Sequence, residues 1–227
     1  MSNRSPNLIG GVCGLLAIVF SIGGFSLIGA AGLAVEGGAP RDEVTEALAD
    51  ANADLALAGI YIDTLGSLFF VLFLAALWRV FGRAEGEGGW LAVGILVAGV
   101  LTIAAGLGDK GAFYAILIRA DDGLDPDVAA GLYSSASGFF NIARAFGGLF
   151  ALLGAIAVWR TGVLGRWMGW VGLVSGVVGI ASAVAPESSL AQSAFPFFPL
   201  WIAAVSISLI VRRERPSEAR QAVPQGA

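Results

Sequence analysis

Long runs of apolar residues, separated by short polar segments, repeat along the chain. A helix needs about 20 apolar residues to cross a hydrocarbon core of roughly 30 Å, and six runs approach or exceed that length. These runs cover residues 8–34, 57–80, 90–118, 131–159, 167–185 and 195–212. In lipid the backbone must satisfy its own hydrogen bonds, which a helix does within one segment. The pattern therefore predicts an all-α, polytopic membrane bundle of six transmembrane helices.

The polar segments between the runs are too short to fold alone, so residues 1–213 are predicted to form a single transmembrane domain. Residues 35–56 alternate acidic and apolar positions after Pro40, which is typical of a short helix outside the membrane. Residues 214–227 carry Pro, Gln and Arg and are predicted to be a disordered cytoplasmic tail. The third run is longer than the bilayer is thick. The sequence leaves two alternatives for it, one long helix or a helix that breaks near Gly108.

Arginine is distributed unevenly between the two ends of the predicted spans. One end has Arg4, Arg79, Arg83, Arg160, Arg166, Arg212, Arg213, Arg215 and Arg220, and the other has only Arg41 and Arg119. Because cationic residues flank spans mainly on the cytoplasmic side, both termini are predicted to be cytoplasmic. The tryptophans of the arginine-rich end are Trp78, Trp90, Trp159, Trp167 and Trp170. Indole prefers the headgroup layer, so they are expected to mark the inner boundary of the membrane.

Composition excludes several classes of protein. The chain is 57% hydrophobic and 13% charged, against about 45–50% and about 25% in soluble domains. Its net charge of −4 argues against nucleic-acid binding. With no His and with Cys13 as the one cysteine, neither a metal site nor a cofactor is predicted. No catalytic signature is present. The sequence therefore leaves enzyme activity open and favours a protein without it.

Ionisable residues inside a span are costly and are candidates for function, with partners expected. The predicted spans contain four, namely Asp63, Asp109, Lys110 and Arg144. At about 1.5 Å per residue, Asp63 lies roughly 22 Å above Trp78, and Arg144 lies as far above Trp159. This shared depth predicts an Asp63–Arg144 ion pair. By the same count, Lys110 lies near the outer edge of the hydrocarbon. The favoured interpretation is that its side chain extends to the interface.

A polar pocket opening to the outside is predicted around this pair, built from spans two, three and four. The candidate ligand-binding residues are Arg144, Asp63, Asn141, Asp109, Lys110, Tyr61 and Tyr114. The competing interpretation is that the Asp–Arg pair only fixes the register of two helices. A Ser–Lys hydrolase using Lys110 with Ser134, Ser135 or Ser137 is a third and weaker hypothesis.

Two segments and one loop resemble a known family. They are residues 8–19 (LIGGVCGLLAIV), the acidic first outer loop, and residues 161–173 (TGVLGRWMGWVGL). The chain is similar to a bacterial family of uncharacterised six-span membrane proteins, the domain of unknown function 4386, over nearly its whole length. The resemblance implies a fold and a bacterial cytoplasmic membrane, and it implies no activity.

Two functions follow as expectations. The first is binding or transport of a small anionic or lipid-like ligand, with Arg144 contacting the ligand and Asp63 as counter-ion. The second is an accessory or assembly subunit, in which Gly-lined helix faces dock onto a larger membrane complex or a second copy of the chain. The lipid bilayer is a partner under either function.

Overall fold

The computed structural model describes residues 4–33, 40–86, 89–119, 123–186, 188 and 196–211. Across these ranges the regular structure is helical, without strands. The helices are α1 (Arg4–Ala30), α2 (Arg41–Asp50), α3 (Ala53–Glu85), α4 (Trp90–Leu117), α5 (Pro126–Thr161), α6 (Arg166–Val184) and α7 (Phe197–Val211). The predicted tail at 214–227 lies outside the described residues.

Within the described ranges, five helices are long and apolar enough to cross a membrane, namely α1, α3, α4, α5 and α6. The prediction of a helical, multi-pass membrane protein agrees with this finding. The sixth apolar run forms α7, which has 15 residues and is shorter than the about 20 that a perpendicular span needs. Helix α4 is continuous through Gly108, which answers the question that the sequence left open.

The predicted helix in residues 35–56 is present as α2, which begins directly after Pro40. Its Val44 is buried and packs with Ile116 of α4 and Tyr133 of α5. Arg41 of α2 also forms an ion pair with Asp127 of α5, with 3.0 Å between Nη1 and Oδ1. Helix α2 therefore covers one end of the bundle, which we call the α2 end.

The six longer apolar helices form a closed ring. Each packs against its two neighbours in the order α1, α3, α4, α5, α6 and α7, and α7 returns to α1. The half of the ring away from α2 is solid, since fully buried side chains such as Phe73, Leu77 and Ile95 fill it. The Phe150 and Trp201 rings meet edge to face there, 5.1 Å between centroids. This packed half forms a base for the other half, which encloses a cavity.

Candidate functional site

A cavity of about 880 Å³ occupies the half of the ring near the α2 end. All six ring helices contribute to its wall. Its deepest residues include Ala17, Phe70, Ile103 and Ile202, which rest on the packed half. Toward the α2 end the lining continues to Gly29, Leu33, Phe113, Tyr133 and Pro186, close to the ends of α1, α4 and α6. The volume is near the upper part of the range of roughly 300–1,000 Å³ for small-molecule sites.

A nearly buried ion pair lies on the cavity wall between α3 and α4. The Lys110 ammonium nitrogen is 2.9 Å from Oδ2 of Asp63, and the two side chains are 12% and 18% exposed. Lys110 also donates a hydrogen bond to the Gly106 carbonyl, at 3.1 Å. Because charges away from water need partners, this pair gives both groups a neutralised, fixed position on the wall.

Glycines of both α1 and α3 allow the two backbones to come close near Asp63. A Cβ atom added to Gly24 would lie 2.5 Å from the Gly59 carbonyl oxygen and 2.6 Å from the Asp63 nitrogen. One added to Gly66 would lie 2.7 Å from Ser21 Oγ. Small residues permit such close helix packing in membranes. The α1–α3 contact therefore fixes the backbone that carries the Asp63 carboxylate.

Arg144 lies on the α5 wall and stacks on an aromatic ring. Its guanidinium carbon is 4.7 Å from the centroid of the Phe140 ring, a distance typical of cation–π contact. The Phe140 ring in turn stacks on Phe25 of α1, with centroids 6.5 Å apart and planes 14° apart. All three side chains line the cavity.

The predicted Asp63–Arg144 pair is wrong, because the cation at Asp63 is Lys110. The error came from using tryptophans as markers of equal depth. Trp78 lies seven residues before the end of α3 at position 85, whereas Trp90 is the first residue of α4. Counted from the helix ends at about 1.5 Å per residue, Asp63 lies about 33 Å along α3 and Lys110 about 30 Å along α4. Arg144 lies only about 26 Å along α5.

The favoured interpretation of Lys110 as a residue extending to the interface is also corrected. Its side chain is nearly buried and lines the cavity. Asp109 lines the cavity as well, although adjacent residues on a helix point about 100° apart. The α4 wall therefore presents both an acid and a base.

The structure brings together five of the seven candidate residues. Asp63, Asp109, Lys110, Asn141 and Arg144 all line the cavity. The other two lie outside its lining and form an edge-to-face pair, with ring centroids 6.4 Å apart. These two, Tyr61 and Tyr114, are 58% and 39% exposed.

Sequence reasoning missed the contributions of α1, α6 and α7 to the wall. These helices contribute mostly apolar and hydroxyl-bearing residues, among them Phe25, Ser175 and Phe198. Ser175 Oγ donates a 2.9 Å hydrogen bond to the Phe197 carbonyl, which ties α6 to α7. The only signal in the sequence was the presence of serines within apolar runs.

The cavity can hold a polar group beside an apolar one. Two acids and two bases face the same space as isoleucine and phenylalanine side chains. In the described part of the chain, no group of three or more His, Cys, Asp or Glu side chains could hold a metal ion.

Comparison with known proteins identifies a family. The family described as "Domain of unknown function (DUF4386)" matches residues 9–211. No curated protein and no solved structure matches the chain.

Proposed function

The chain belongs to the DUF4386 family, a domain of unknown function, and we propose that it binds or transports a small ligand in the cavity. The ligand is anionic or lipid-like. The observation that carries the proposal is the cavity of about 880 Å³ with four charged side chains on its wall. Charges inside a membrane bundle are costly and mark ligand or ion pathways by default.

The donor geometry of Arg144 suits an anionic group on the α5 wall. Lys110 forms an ion pair with Asp63 at 2.9 Å. Arg144 is the second cation on the wall, and its planar guanidinium has five N–H donors, which match a carboxylate or a phosphate. We assign Arg144 to the anionic group of the ligand and Asn141, one turn away, to a supporting hydrogen bond.

A six-span topology with both termini in the cytoplasm is part of the proposal, as is placement in a bacterial inner membrane. Support comes from the closed ring, in which α7 takes the sixth place. Exposed Arg83, Arg160 and Arg166 lie at the end of the bundle away from α2. Cationic residues are more frequent on the cytoplasmic side, so the cavity faces the outside.

Native mass spectrometry of the protein, released from a mild detergent, tests the proposal. Wild type is compared with Arg144→Met, which keeps the bulk of the side chain and removes its donors. Tyr61→Phe is the matched control, since Tyr61 is exposed and lies outside the cavity lining. We expect wild type and Tyr61→Phe to retain a small adduct that Arg144→Met loses at equal thermal stability.

An adduct that persists in Arg144→Met would contradict the assigned ligand contact. If wild type has no adduct and gains none when small anions or lipids are added, the ligand proposal fails. Co-purification of a larger membrane complex in stoichiometric amount would then support the accessory-subunit function instead.

A further inference from the structure

Asp109 carries a carboxylate on the cavity wall that forms no ion pair with the described residues. Its neighbour Lys110 pairs with Asp63 instead. No described group donates a hydrogen bond to the Asp109 side chain either. A partly buried carboxylate needs a compensating charge or donor. A ligand in the cavity can supply one.

Two aromatic rings lie about one turn from this carboxylate. Phe113 follows Asp109 by four residues on α4, so both side chains lie on the same face of the helix. The Phe113 ring contacts Tyr133 of α5 edge to face, with 5.4 Å between centroids, and both residues line the cavity. Because the π-electrons of aromatic rings attract cations, a carboxylate beside such rings is a favourable environment for an organic ammonium group.

The contact of α4 with α5 places an open position level with Asp109. A Cβ on Gly108 of α4 would lie 2.8 Å from the Phe139 ring of α5. The two helices run antiparallel, so the next residue of α4, Asp109, lies about level with Gly138. Gly138 lines the cavity, and a Cβ added to it would have nothing within 4 Å. The cavity therefore has free space at the level of this carboxylate.

The same register gives the spacing between Asp109 and Arg144 along the bundle. Arg144 is six residues beyond Gly138, which is about 9 Å toward the packed half at about 1.5 Å per residue. Its guanidinium stacks on Phe140, one turn closer to the α2 end. Along the axis, the two charged groups are therefore less than about 9 Å apart, which a small molecule can span.

The charge of the α2 end also favours a cationic group. Among the described residues of that end, seven acidic side chains are exposed, against two arginines. They are Asp42, Glu43, Glu46, Asp50, Asp54, Asp125 and Asp127, with Arg41 and Arg119. A surface of one sign raises the local concentration of the opposite charge. It repels a purely anionic ligand more than one that also carries an ammonium group.

We propose that Asp109, Phe113 and Tyr133 form a subsite for an organic ammonium group, and that the ligand is a small zwitterion. This inference rests on the proposed function, because the anionic group of the same ligand is assigned to Arg144. A metal cation fits less well, since it needs several oxygen ligands and Lys110 already pairs with Asp63. A free small molecule and the headgroup of a lipid can both present this pair of charges.

Three probes of equal chain length test the subsite. They are 4-aminobutyrate, butyrate and butylammonium, each titrated into the detergent-purified full chain. Thermal unfolding reports binding, because a bound ligand raises the unfolding temperature. We expect wild type to bind 4-aminobutyrate at least about tenfold more tightly than either singly charged probe. In Asp109→Asn the affinity for 4-aminobutyrate should fall to that for butyrate, which should not decrease.

Two matched controls accompany the variants of the subsite. Glu46→Gln also neutralises an acid, but Glu46 is exposed on α2 and lies outside the cavity lining. Gly138→Leu fills the space level with Asp109 without changing a charge, and it serves as a second variant if Asp109→Asn does not fold. Its control is Gly131→Leu, which adds a side chain in open space on the same helix, outside the lining. Only Asp109→Asn and Gly138→Leu should remove the preference for the zwitterion.

Lipid competition distinguishes the two sources of the zwitterion. The protein is incubated with equal amounts of phosphatidylethanolamine and phosphatidylglycerol and examined by native mass spectrometry. A preference for phosphatidylethanolamine that Asp109→Asn abolishes would assign the ammonium group to a lipid headgroup. Tight binding of 4-aminobutyrate without a preference between the lipids would assign it to a free zwitterion.

The failure of this inference differs from the failure of the proposed function. Equal affinities of wild type for 4-aminobutyrate and butyrate, with no preference between the lipids, would overturn the ammonium subsite. Binding of 4-aminobutyrate to Asp109→Asn as tightly as to wild type would also overturn it, because the charge of Asp109 would then have no role. If butyrate bound wild type and not Arg144→Met, the proposed function would survive either result. If no probe and no lipid bound wild type, both would be wrong.

Discussion

The Lys110 ammonium group and the Asp63 carboxylate lie 2.9 Å apart on the cavity wall, one from each of two adjacent helices. The pair joins α4 to α3 in the hollow half of the ring, next to the apolar cluster that contains Ile60, Phe113 and Leu117. Its hydrogen bond to Gly106 also fixes the lysine along its own helix. The pair is therefore both part of the site and a support for the wall.

Neutralising one member of this pair should destabilise the protein more than neutralising both. Lys110→Met leaves a nearly buried carboxylate without its cation, and Asp63→Asn leaves the ammonium without its anion. Breaking buried pairs costs about 3–5 kcal/mol, whereas replacing both charges is often close to neutral. We expect the Asp63→Asn/Lys110→Met double variant to unfold at a higher temperature than either single variant. Intrinsic tryptophan fluorescence during heating in detergent measures the unfolding temperatures of the three variants.

The exposed pair Arg41–Asp127 is the control for that series. Its side chains are 53% and 74% exposed, so Arg41→Ala should change stability by at most about 1 kcal/mol. Equal losses at the two pairs would show that the Asp63–Lys110 contact has no special role.

The contact of α1 with α3 should be sensitive to a single methyl group. In Gly24→Ala the new Cβ would meet the Gly59 carbonyl and the Asp63 backbone at 2.5–2.6 Å. Such overpacking costs about 1–3 kcal/mol. Gly29→Ala, five residues further on the same helix, has open space around the added Cβ and should be neutral or slightly stabilising, because alanine favours helix. Thermal unfolding of the two variants, measured side by side, tests this difference in stability.

The long helices could be predicted from the sequence because the length of an apolar run directly reports the need to cross a bilayer. The helix α2 could be predicted as well, from Pro40 and the alternation that follows it. The ion pair at Asp63 could not, since the partner depends on how far each helix continues past its tryptophan. Because α3 continues for seven residues past Trp78, the partner of Asp63 is Lys110 and not Arg144.

The cavity was only partly predictable for a related reason. Charged residues in α3, α4 and α5 were visible as exceptions within apolar runs, and four of them, Asp63, Asp109, Lys110 and Arg144, line the cavity. The α1 and α7 walls consist of residues such as Phe25 and Ile202, which a sequence cannot distinguish from residues facing lipid.

Two buried serines should respond in opposite ways to loss of the hydroxyl. Ser206 Oγ is buried and has no hydrogen-bond partner among the described residues, so Ser206→Ala should be neutral or stabilising. Ser175 Oγ donates to the Phe197 carbonyl, so Ser175→Ala should cost about 1 kcal/mol. Both residues are 2% exposed or less, which makes their burial comparable. A loss of stability in Ser206→Ala equal to that in Ser175→Ala would contradict the prediction.

The place of α7 in the membrane can be measured with single cysteines, because Cys13 is the only native one. In a Cys13→Ala background, cysteines are introduced at Thr45 on α2, Arg83 near the end of α3, and Val211 at the end of α7, all exposed. With six spans and an external α2, a membrane-impermeant maleimide should label Thr45→Cys in intact cells. It should label Arg83→Cys and Val211→Cys only after permeabilisation.

Labelling of Val211→Cys together with Thr45→Cys in intact cells would mean that α7 does not cross the bilayer. Labelling of Arg83→Cys and protection of Thr45→Cys would reverse the orientation, and the cavity would then face the cytoplasm.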